Sequence, residues 1–208
     1  MNMLLRSLVL AFLLVGVPLT FAASGVDLQV EGLITPNACL VSLSDDGMVD
    51  HGKIPARRLN LDEFTVLPSF PMALGVSCNA AVLFALVGVD NQADSSLAPD
   101  FFYGLGMNHQ APTERLGSVA LSLRGPVADA QPMQTLTSSD QGATWHVEPN
   151  AYPNRFMAFA VPGSLIPVPL RNLVVNLRVD TSISPANNLT LKEEVPLDGL
   201  ITLELRYL

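Results

Sequence analysis

The sequence predicts an all-β protein built as a β-sandwich, and three observations support this fold class. Several segments alternate apolar and polar residues with a period of two, which is typical of strands that bury one face. Proline and glycine, with 16 and 14 residues, interrupt the chain often, as they do where turns join short strands. No long segment repeats its apolar residues with the period of a helix. Roughly ten short strands at short intervals therefore indicate a sandwich.

The clearest strand pattern lies in residues 199–208. Four large apolar or aromatic residues alternate there with polar ones: Ile201, Leu203, Leu205 and Tyr207. A strand at a chain end frays unless it pairs within a sheet. Because no later segment follows in the sequence, we expect either an earlier segment or another polypeptide to pair with its second edge.

The other segments with strand character are spread along the chain. Val26 and Leu28 alternate with polar neighbours, and Asp45, Asp46 and Gly47 form a turn signal. The remaining predicted strands cover residues 49–54, 72–78, 80–89, 116–123, 133–137, 144–147, 156–161 and 173–179. We find neither an internal repeat nor a low-complexity linker, which indicates a single domain.

Residues 1–22 are typical of a secretory signal peptide. Arg6 supplies the positive start, and residues 8–17 form an apolar run that is too short to span a bilayer. Thr20 and Ala22 are the small residues that a signal peptidase recognises. We therefore expect an exported mature domain of residues 23–208, without membrane insertion.

Cys39 and Cys78 are the two cysteines of the chain. In an exported protein the usual outcome for two cysteines is a disulfide. The alternative, a catalytic or metal-binding thiol pair, lacks both a CxxC spacing and a neighbouring histidine. The sequence therefore predicts a Cys39–Cys78 disulfide.

The charge and the polar residues indicate neither a nucleic-acid partner nor an enzyme. The formal net charge is −8 without a cluster of basic residues, which argues against nucleic acid and anionic membranes. His51, His109 and His146 are far apart and lack the spacing of metal ligands. No nucleophile motif or phosphate loop is present. We therefore predict no catalytic residues, no metal and no cofactor.

Residues 138–145 match the pattern S-x-D-x-G-x-T-W, which resembles the Asp-box that recurs in sialidases. In such a turn Asp140 bonds main-chain N–H groups, Gly142 takes a positive φ and Trp145 packs beneath. A sialidase needs many copies of the motif and a cluster of arginines, and this sequence has neither. We therefore interpret residues 138–145 as a structural hairpin turn.

Both ends of the expected mature chain resemble subunits of the chaperone–usher fimbriae of Gram-negative bacteria. Three features carry the resemblance: the pattern Val30-x-Gly32-x-Ile34 with Cys39 seven residues after the glycine, a second cysteine at Cys78, and an alternating last strand with Tyr207 next to its end. Over its whole length the chain also resembles a fimbrial-like family of unknown function. That likeness rests on Val49-Asp50-His51-Gly52, Asp90-Asn91-Gln92, Gly104-Leu105-Gly106, residues 139–145, Leu197-Asp198-Gly199 and Tyr207-Leu208.

The resemblance implies an immunoglobulin-like, pilin-type sandwich that lacks its final strand. A periplasmic chaperone would lend that strand, and at the outer-membrane usher the next subunit would replace it. The edge from Ile201 to Tyr207 would pair with the donated strand, and Leu208 would offer its carboxylate to the chaperone. Val26 and Leu28 would be donor residues. The protein would pass through the inner membrane to the periplasm and then to a cell-surface fimbrium.

Two features depart from the pilin pattern. Only residues 23–29 precede the first-strand motif, which is short for a donor segment, and residues 90–155 are longer and richer in turns than a plain pilin requires. The second feature supports an alternative, a secreted sandwich that folds alone and binds a host or surface glycan through the loops at residues 90–106 and 108–115. Phe101, Phe102 and Tyr103 are either core anchors or an exposed platform for sugar.

Overall fold

Two antiparallel sheets and a small hairpin make up the computed structural model, which describes residues 39–208. The strands, in chain order, are β1 (Cys39–Leu43), β2 (Thr65–Val66), β3 (Phe70–Val82), β4 (Phe84–Asp90), β5 (Tyr103–Gly104), β6 (Met107–Asn108), β7 (Ala111–Arg115), β8 (Gly117–Ala128), β9 (Gln131–Pro132), β10 (Gln134–Ser138), β11 (His146–Val147), β12 (Phe156–Ala160), β13 (Leu170–Ile183) and β14 (Ile201–Tyr207). Four short 3-10 turns lie between them, at Ser44–Gly47, Ala56–Arg58, Ala93–Ser95 and Ala186–Asn188. The predicted all-β fold is confirmed.

The strand order is that of an immunoglobulin-like sandwich. Sheet A has the order β1-β3-β13-β8-β5, with β2 beside β13 and β9 beside β8. Sheet B has the order β11-β10-β12-β4-β14. In an immunoglobulin domain the first, second, fifth and fourth strands form one sheet, and the third, sixth and seventh form the other. The six principal strands β1, β3, β4, β8, β13 and β14 follow this order, and the place of the seventh is beside β14.

The core lies between the two sheets and follows from the period-two pattern. The long strand β13 buries Leu173, Val175 and Leu177, each 1–3% exposed, and turns the residues between them to solvent. From sheet B, Phe84 and Phe159 meet with their ring centres 6.5 Å apart. Burying a leucine or phenylalanine side chain contributes about 1.5–3 kcal/mol, so these alternating strands account for much of the stability.

The prediction of a strand at residues 49–54 was wrong. This segment is irregular in the structure and follows the turn at Ser44–Gly47. The Asp50 carboxylate accepts the Gly52 N–H at 2.7 Å, and Gly52 has a φ of 62°. Because the Gly52 N–H bonds the Asp50 side chain and Gly52 has a positive φ, the segment does not take the regular extended form of a sheet strand.

Other strand boundaries also differ from the sequence prediction. The sequence predicts a boundary between two strands at residue 79, between residues 72–78 and 80–89. In the structure the boundary is at Leu83, because β3 ends at Val82 and β4 begins at Phe84. The arm predicted at residues 144–147 shortens to His146–Val147 because the preceding residues form the turn. The signal peptide at residues 1–22 and the donor residues Val26 and Leu28 lie outside the described residues.

Candidate strand-binding groove

Strand β14 pairs with one neighbour. It runs antiparallel to β4, from Ile201 opposite Asp90 to Tyr207 opposite Phe84. The Leu208 N–H continues the pairing by donating to the Leu83 carbonyl at 3.1 Å. Within residues 39–208 no strand lies on the other side of β14. A free edge of this kind presents main-chain N–H and C=O groups on which a further strand can pair.

The inner face of β14 is less covered than the rest of the core. Ile201, Leu203 and Leu205 pack against the core but are partly buried, whereas the inner residues of β13 are almost fully buried. Both strands alternate in the same way, so the difference comes from their positions in the sandwich. Among residues 39–208, no strand lies beside β14 on the edge opposite β4 to cover these apolar residues.

An apolar groove of about 1200 Å³ lies between β14 and sheet A. Its floor is formed by core side chains of both sheets: Met72, Leu116, Val119, Leu121, Leu177, Val179, Ile183, Ile201 and Leu203. A second hollow of about 420 Å³ lies between β1 and β14, against Val41, Leu43 and Leu203. The two hollows follow the free edge of β14 along the opening of the sandwich.

Tyr207 spans one end of the groove. The main-chain N–H of Cys39, at the start of β1, donates to the Tyr207 phenol oxygen at 3.2 Å. Cys39 lies opposite Cys78 in the β1–β3 ladder, and the two form the predicted disulfide. The hydrogen bond from Cys39 to Tyr207 therefore joins β1, which the disulfide anchors to β3, to the edge strand β14 of sheet B.

Two chain segments form the rims of the groove, residues 49–59 and residues 189–200. An ion pair of 2.8 Å joins Lys53 to Glu194 between them, with both side chains nearly fully exposed. His51 Nε2 lies 2.9 Å from the Thr181 hydroxyl on β13, which ties the first rim to sheet A. The sequence pattern did not indicate these rims, because irregular segments have no periodicity.

Glu114 anchors the second rim to the β6–β7 hairpin. Its carboxylate accepts the main-chain N–H of Thr190 at 2.6 Å, the Thr190 hydroxyl at 2.8 Å and the Asn108 amide at 2.8 Å. These bonds, chiefly that from the Thr190 N–H, lower the pKa of Glu114. The Asn108 side chain is fully buried and also donates to the Thr190 carbonyl at 2.9 Å. The rim is thus attached through a charged hydrogen-bond acceptor.

Residues 138–145, here named the Asp140 turn, connect β10 to β11. The Asp140 carboxylate accepts the Thr144 N–H at 2.9 Å, the Thr144 hydroxyl at 2.6 Å and the Ser138 hydroxyl at 2.6 Å. These bonds, the one from Ser138 first, hold the pKa of Asp140 far below its usual range. Gly142 has a φ of 96° and donates its N–H to the Ser138 oxygen at 2.8 Å. The turn is internally bonded, and its carboxylate is committed to those bonds.

The aromatic residues at 101–103 divide between core and surface. Tyr103 is fully buried and donates its phenol O–H to the Ala151 carbonyl at 2.9 Å, and burial raises its pKa. Phe101 and Phe102 are 50% and 41% exposed. The Phe101 ring meets Tyr152 edge to face at 5.7 Å, and Arg155 lies over the Tyr152 ring at 4.8 Å. Tyr103 is therefore a core anchor, whereas Phe101 and Phe102 are surface residues, of which Phe101 packs on Tyr152.

Residues 39–208 contain neither a cluster of metal-ligating side chains nor a membrane-spanning helix. This part of the chain holds no group of three or more His, Cys, Asp or Glu side chains suited to a metal ion. It also contains no helix with the length and apolar character needed to cross a membrane.

Comparison with known proteins shows two similarities. A family described as a protein of unknown function, DUF1120, matches residues 28–111, which include β1 to β4, the disulfide and the first rim of the groove. The chain is also 24% identical to the uncharacterized protein YhcF of Escherichia coli (strain K12). That alignment spans 222 residues and covers 90% of this chain and 92% of the relative. The similarity to YhcF therefore extends over both sheets.

Proposed function

We propose that this chain is a structural or minor subunit of a chaperone–usher fimbrium, and that a strand donated by another polypeptide completes its sandwich. The observation that carries the proposal is that, within residues 39–208, β14 pairs with β4 alone and its other edge lies beside the apolar groove. This is the place of the seventh strand in an immunoglobulin domain. Strand addition to an exposed sheet edge is a recurrent mode of peptide recognition, and donor-strand complementation is one of its established forms.

The chemistry of the groove specifies its occupant. Main-chain pairing with β14 requires an extended segment, and the floor residues require apolar side chains at every second position. A charged side chain pointing inward would be buried without a partner, at a cost of several kcal/mol. We propose that the occupant is an extended strand with this alternation. Residues 23–29 of a second copy, with Val26 and Leu28, are the candidate donor segment, and a peptide of residues 23–35 continues the same alternation through Val30.

The assembly route follows from the same proposal. A periplasmic chaperone would first occupy the groove and hold the chain at Leu208, and the usher would then exchange the chaperone strand for that of another subunit. Export by a signal peptide at residues 1–22 would place Cys39 and Cys78 in a compartment where disulfides form. The finished subunit would serve adhesion at the cell surface.

Strand uptake by residues 23–208 tests the proposal. We expect a synthetic peptide of residues 23–35 to bind the purified protein and to raise its midpoint of thermal unfolding, because a ligand of the folded state stabilises it. A control peptide with Val26→Asp and Leu28→Asp should not bind. In the protein, Leu203→Asp should abolish uptake, whereas Thr202→Asp, on the opposite face of β14, should retain it.

Two results would count against the subunit assignment. One is a wild-type protein that neither binds the peptide nor gains solubility when a candidate periplasmic chaperone is co-expressed. The other is reversible two-state unfolding as a monomer with a stability that no strand peptide changes. Either result would favour a domain that folds and acts alone.

The exposed side chains of Phe101, which packs on Tyr152, and of Phe102 support a second candidate function, a secreted lectin-like module. Exposed apolar patches often mark binding sites, and aromatic faces pack on the C–H groups of sugars. We expect Phe101→Ala with Phe102→Ala to abolish retention on immobilised oligosaccharides if this candidate is correct. Phe64→Ala, which changes a phenylalanine of similar exposure, is the matched control. Equal retention of both variants would exclude Phe101 and Phe102 as the glycan site.

A further inference from the structure

The end of β14 is held from both faces of sheet B. On the inner face, Tyr207 reaches across the groove to Cys39. Leu208 has the opposite parity and its side chain lies on the outer face, while its N–H bonds the Leu83 carbonyl. Tyr207 and Leu208 therefore hold the end of β14 through contacts on opposite faces of sheet B.

The Asp140 turn provides the contact on the outer face. A methyl group on Gly142 would lie 3.6 Å from Leu208 Cδ2 and 3.2 Å from Trp145 Cζ2. The turn thus packs against Leu208 and its own tryptophan at a point where a glycine leaves just enough space. Because Asp140, Ser138 and Thr144 are bonded to one another, the turn presents a preformed surface to Leu208.

The outer face of sheet B, opposite the core, carries apolar residues that are buried. Leu136 and Ala158 are opposite each other on β10 and β12, and both are fully buried. On β4, Ala85 and Val87 are also buried, and they lie on the face opposite to that of the core residue Leu86 because side chains alternate along a strand. The sheet therefore has a second buried face, and we place the Asp140 turn and Leu208 on it.

We infer that the Asp140 turn is a positioning element for the edge of β14 on which the donated strand pairs. The inference rests on the proposed function and concerns residues 138–145, to which the proposed function gives no role. A strand that adds to β14 must find the main chain of residues 201–207 already extended, since ordering it during binding lowers affinity. The turn supplies that order by holding Leu208 in line with the sheet.

Two glycine substitutions test the inference as a matched pair. Gly142 and Gly163 have φ values of 96° and 87°, so a residue with a side chain strains the main chain to a similar extent at both positions. A methyl group at Gly142 would meet Trp145 and Leu208, whereas a methyl group at Gly163 would meet nothing within 4 Å. We therefore expect Gly142→Val to weaken uptake of the residue 23–35 peptide by about tenfold, as overpacking does, and Gly163→Val to leave it unchanged.

Fluorescence of Trp145, the single tryptophan of the chain, provides a readout that does not depend on a ligand. We expect Leu208→Ala, which removes the contact without altering the turn, to increase quenching of Trp145 by acrylamide. The same variant should weaken peptide uptake while the Cys39–Cys78 disulfide remains formed. Gly163→Val should leave quenching at the wild-type level.

The outcomes separate the two proposals. If Gly142→Val, Leu208→Ala and the wild type take up the peptide equally well, the positioning role is wrong and the proposed function stands. If Leu208→Ala leaves Trp145 quenching unchanged, the contact does not exist in solution and the inference is overturned. If the wild type takes up no peptide, the proposed function fails and this role fails with it.

Discussion

The main-chain N–H of Cys39 donates a hydrogen bond to the phenol oxygen of Tyr207, 168 positions away in the sequence. This bond joins the first strand of sheet A to the last strand of sheet B across the open side of the sandwich. It lies at one end of the groove, and the disulfide to Cys78 holds its donor in place. The bond therefore defines where the groove ends.

Replacing Tyr207 by phenylalanine should loosen this end of the groove at a small cost. We expect a loss of about 1 kcal/mol in the free energy of unfolding, because one partly exposed hydrogen bond is removed. Tyr103→Phe should cost more, about 1–3 kcal/mol, since it leaves the buried Ala151 carbonyl without its donor. Urea denaturation measures both values. Equal losses would contradict the difference in burial between the two phenols.

The Cys39–Cys78 disulfide should contribute much more to stability. It closes a loop with a sequence separation of 39 residues, for which the chain-entropy model gives about 4 kcal/mol. We expect Cys39→Ser with Cys78→Ser to lower the free energy of unfolding by roughly this amount. Reducing agent should lower the free energy of unfolding of the wild type and leave that of the double variant unchanged. A double variant as stable as the oxidised wild type would show that β1 is held without the disulfide.

Two leucines that face the same core should respond differently to truncation. Leu177→Ala, in the centre of β13, should cost about 2–5 kcal/mol because it creates a cavity in a fully packed region. Leu203→Ala should cost about 1 kcal/mol in the free protein, because that side chain is partly exposed. Once a strand peptide is bound, the cost at Leu203 should rise toward that at Leu177. A cost at Leu203 that does not change on binding would place the peptide elsewhere.

Glu114 should make the second rim sensitive to acid. Its folded-state pKa is lowered, so its stabilising effect is fully present above the unfolded pKa of about 4.3 and is lost as the pH falls through the folded value. We expect the stability difference between the wild type and Glu114→Gln to be largest near pH 7 and to shrink in acid. Thermal unfolding across this pH range measures it. A constant difference would show that the charge of Glu114 does not matter.

The Asp140 turn should persist to a lower pH than an ordinary aspartate would allow. The pKa of Asp140 is held down by its bonds to Ser138 and Thr144, so the turn keeps its charged acceptor as the pH falls past about 3.9. We expect Trp145 fluorescence to show no transition near this pH and to change in stronger acid. Asp140→Asn, which removes the charge, should raise acrylamide quenching at neutral pH. A transition of the wild type centred near pH 3.9 would contradict the lowered pKa.

Particular residues show how far the sequence could predict the fold and the site. The strand β14 was predicted from the alternation of Ile201, Leu203 and Leu205, and the structure places these residues on the inner face of an edge strand. The disulfide was predicted from cysteine number and export, and it is confirmed. Strand β13 was predicted at half its length, because Asp180, Thr181 and Ser182 interrupt the apolar pattern although all three pair with β8.

The rims of the groove could not be predicted, since their contacts depend on residues far apart in the sequence. Residues 49–54 look like a strand from their composition, but the Gly52 N–H bonds the Asp50 side chain and the segment joins no sheet. The Lys53–Glu194 pair and the Glu114–Thr190 bonds join segments separated by 141 and 76 positions. No local pattern signals such contacts.

The sequence by itself determined the all-β class, the alternation of inner and outer residues along β14, the disulfide and the Asp-box character of residues 138–145. These properties follow from local rules: period-two alternation, turn chemistry and the pairing of two thiols. Only the tertiary structure decided which strands are neighbours, and hence that β14 pairs with β4 alone among residues 39–208, that the Cys39 N–H bonds Tyr207 and that Leu208 packs on the Asp140 turn. The physical reason is that main-chain pairing and side-chain packing act between segments that are close in space, whereas local patterns specify only which face of each segment is apolar.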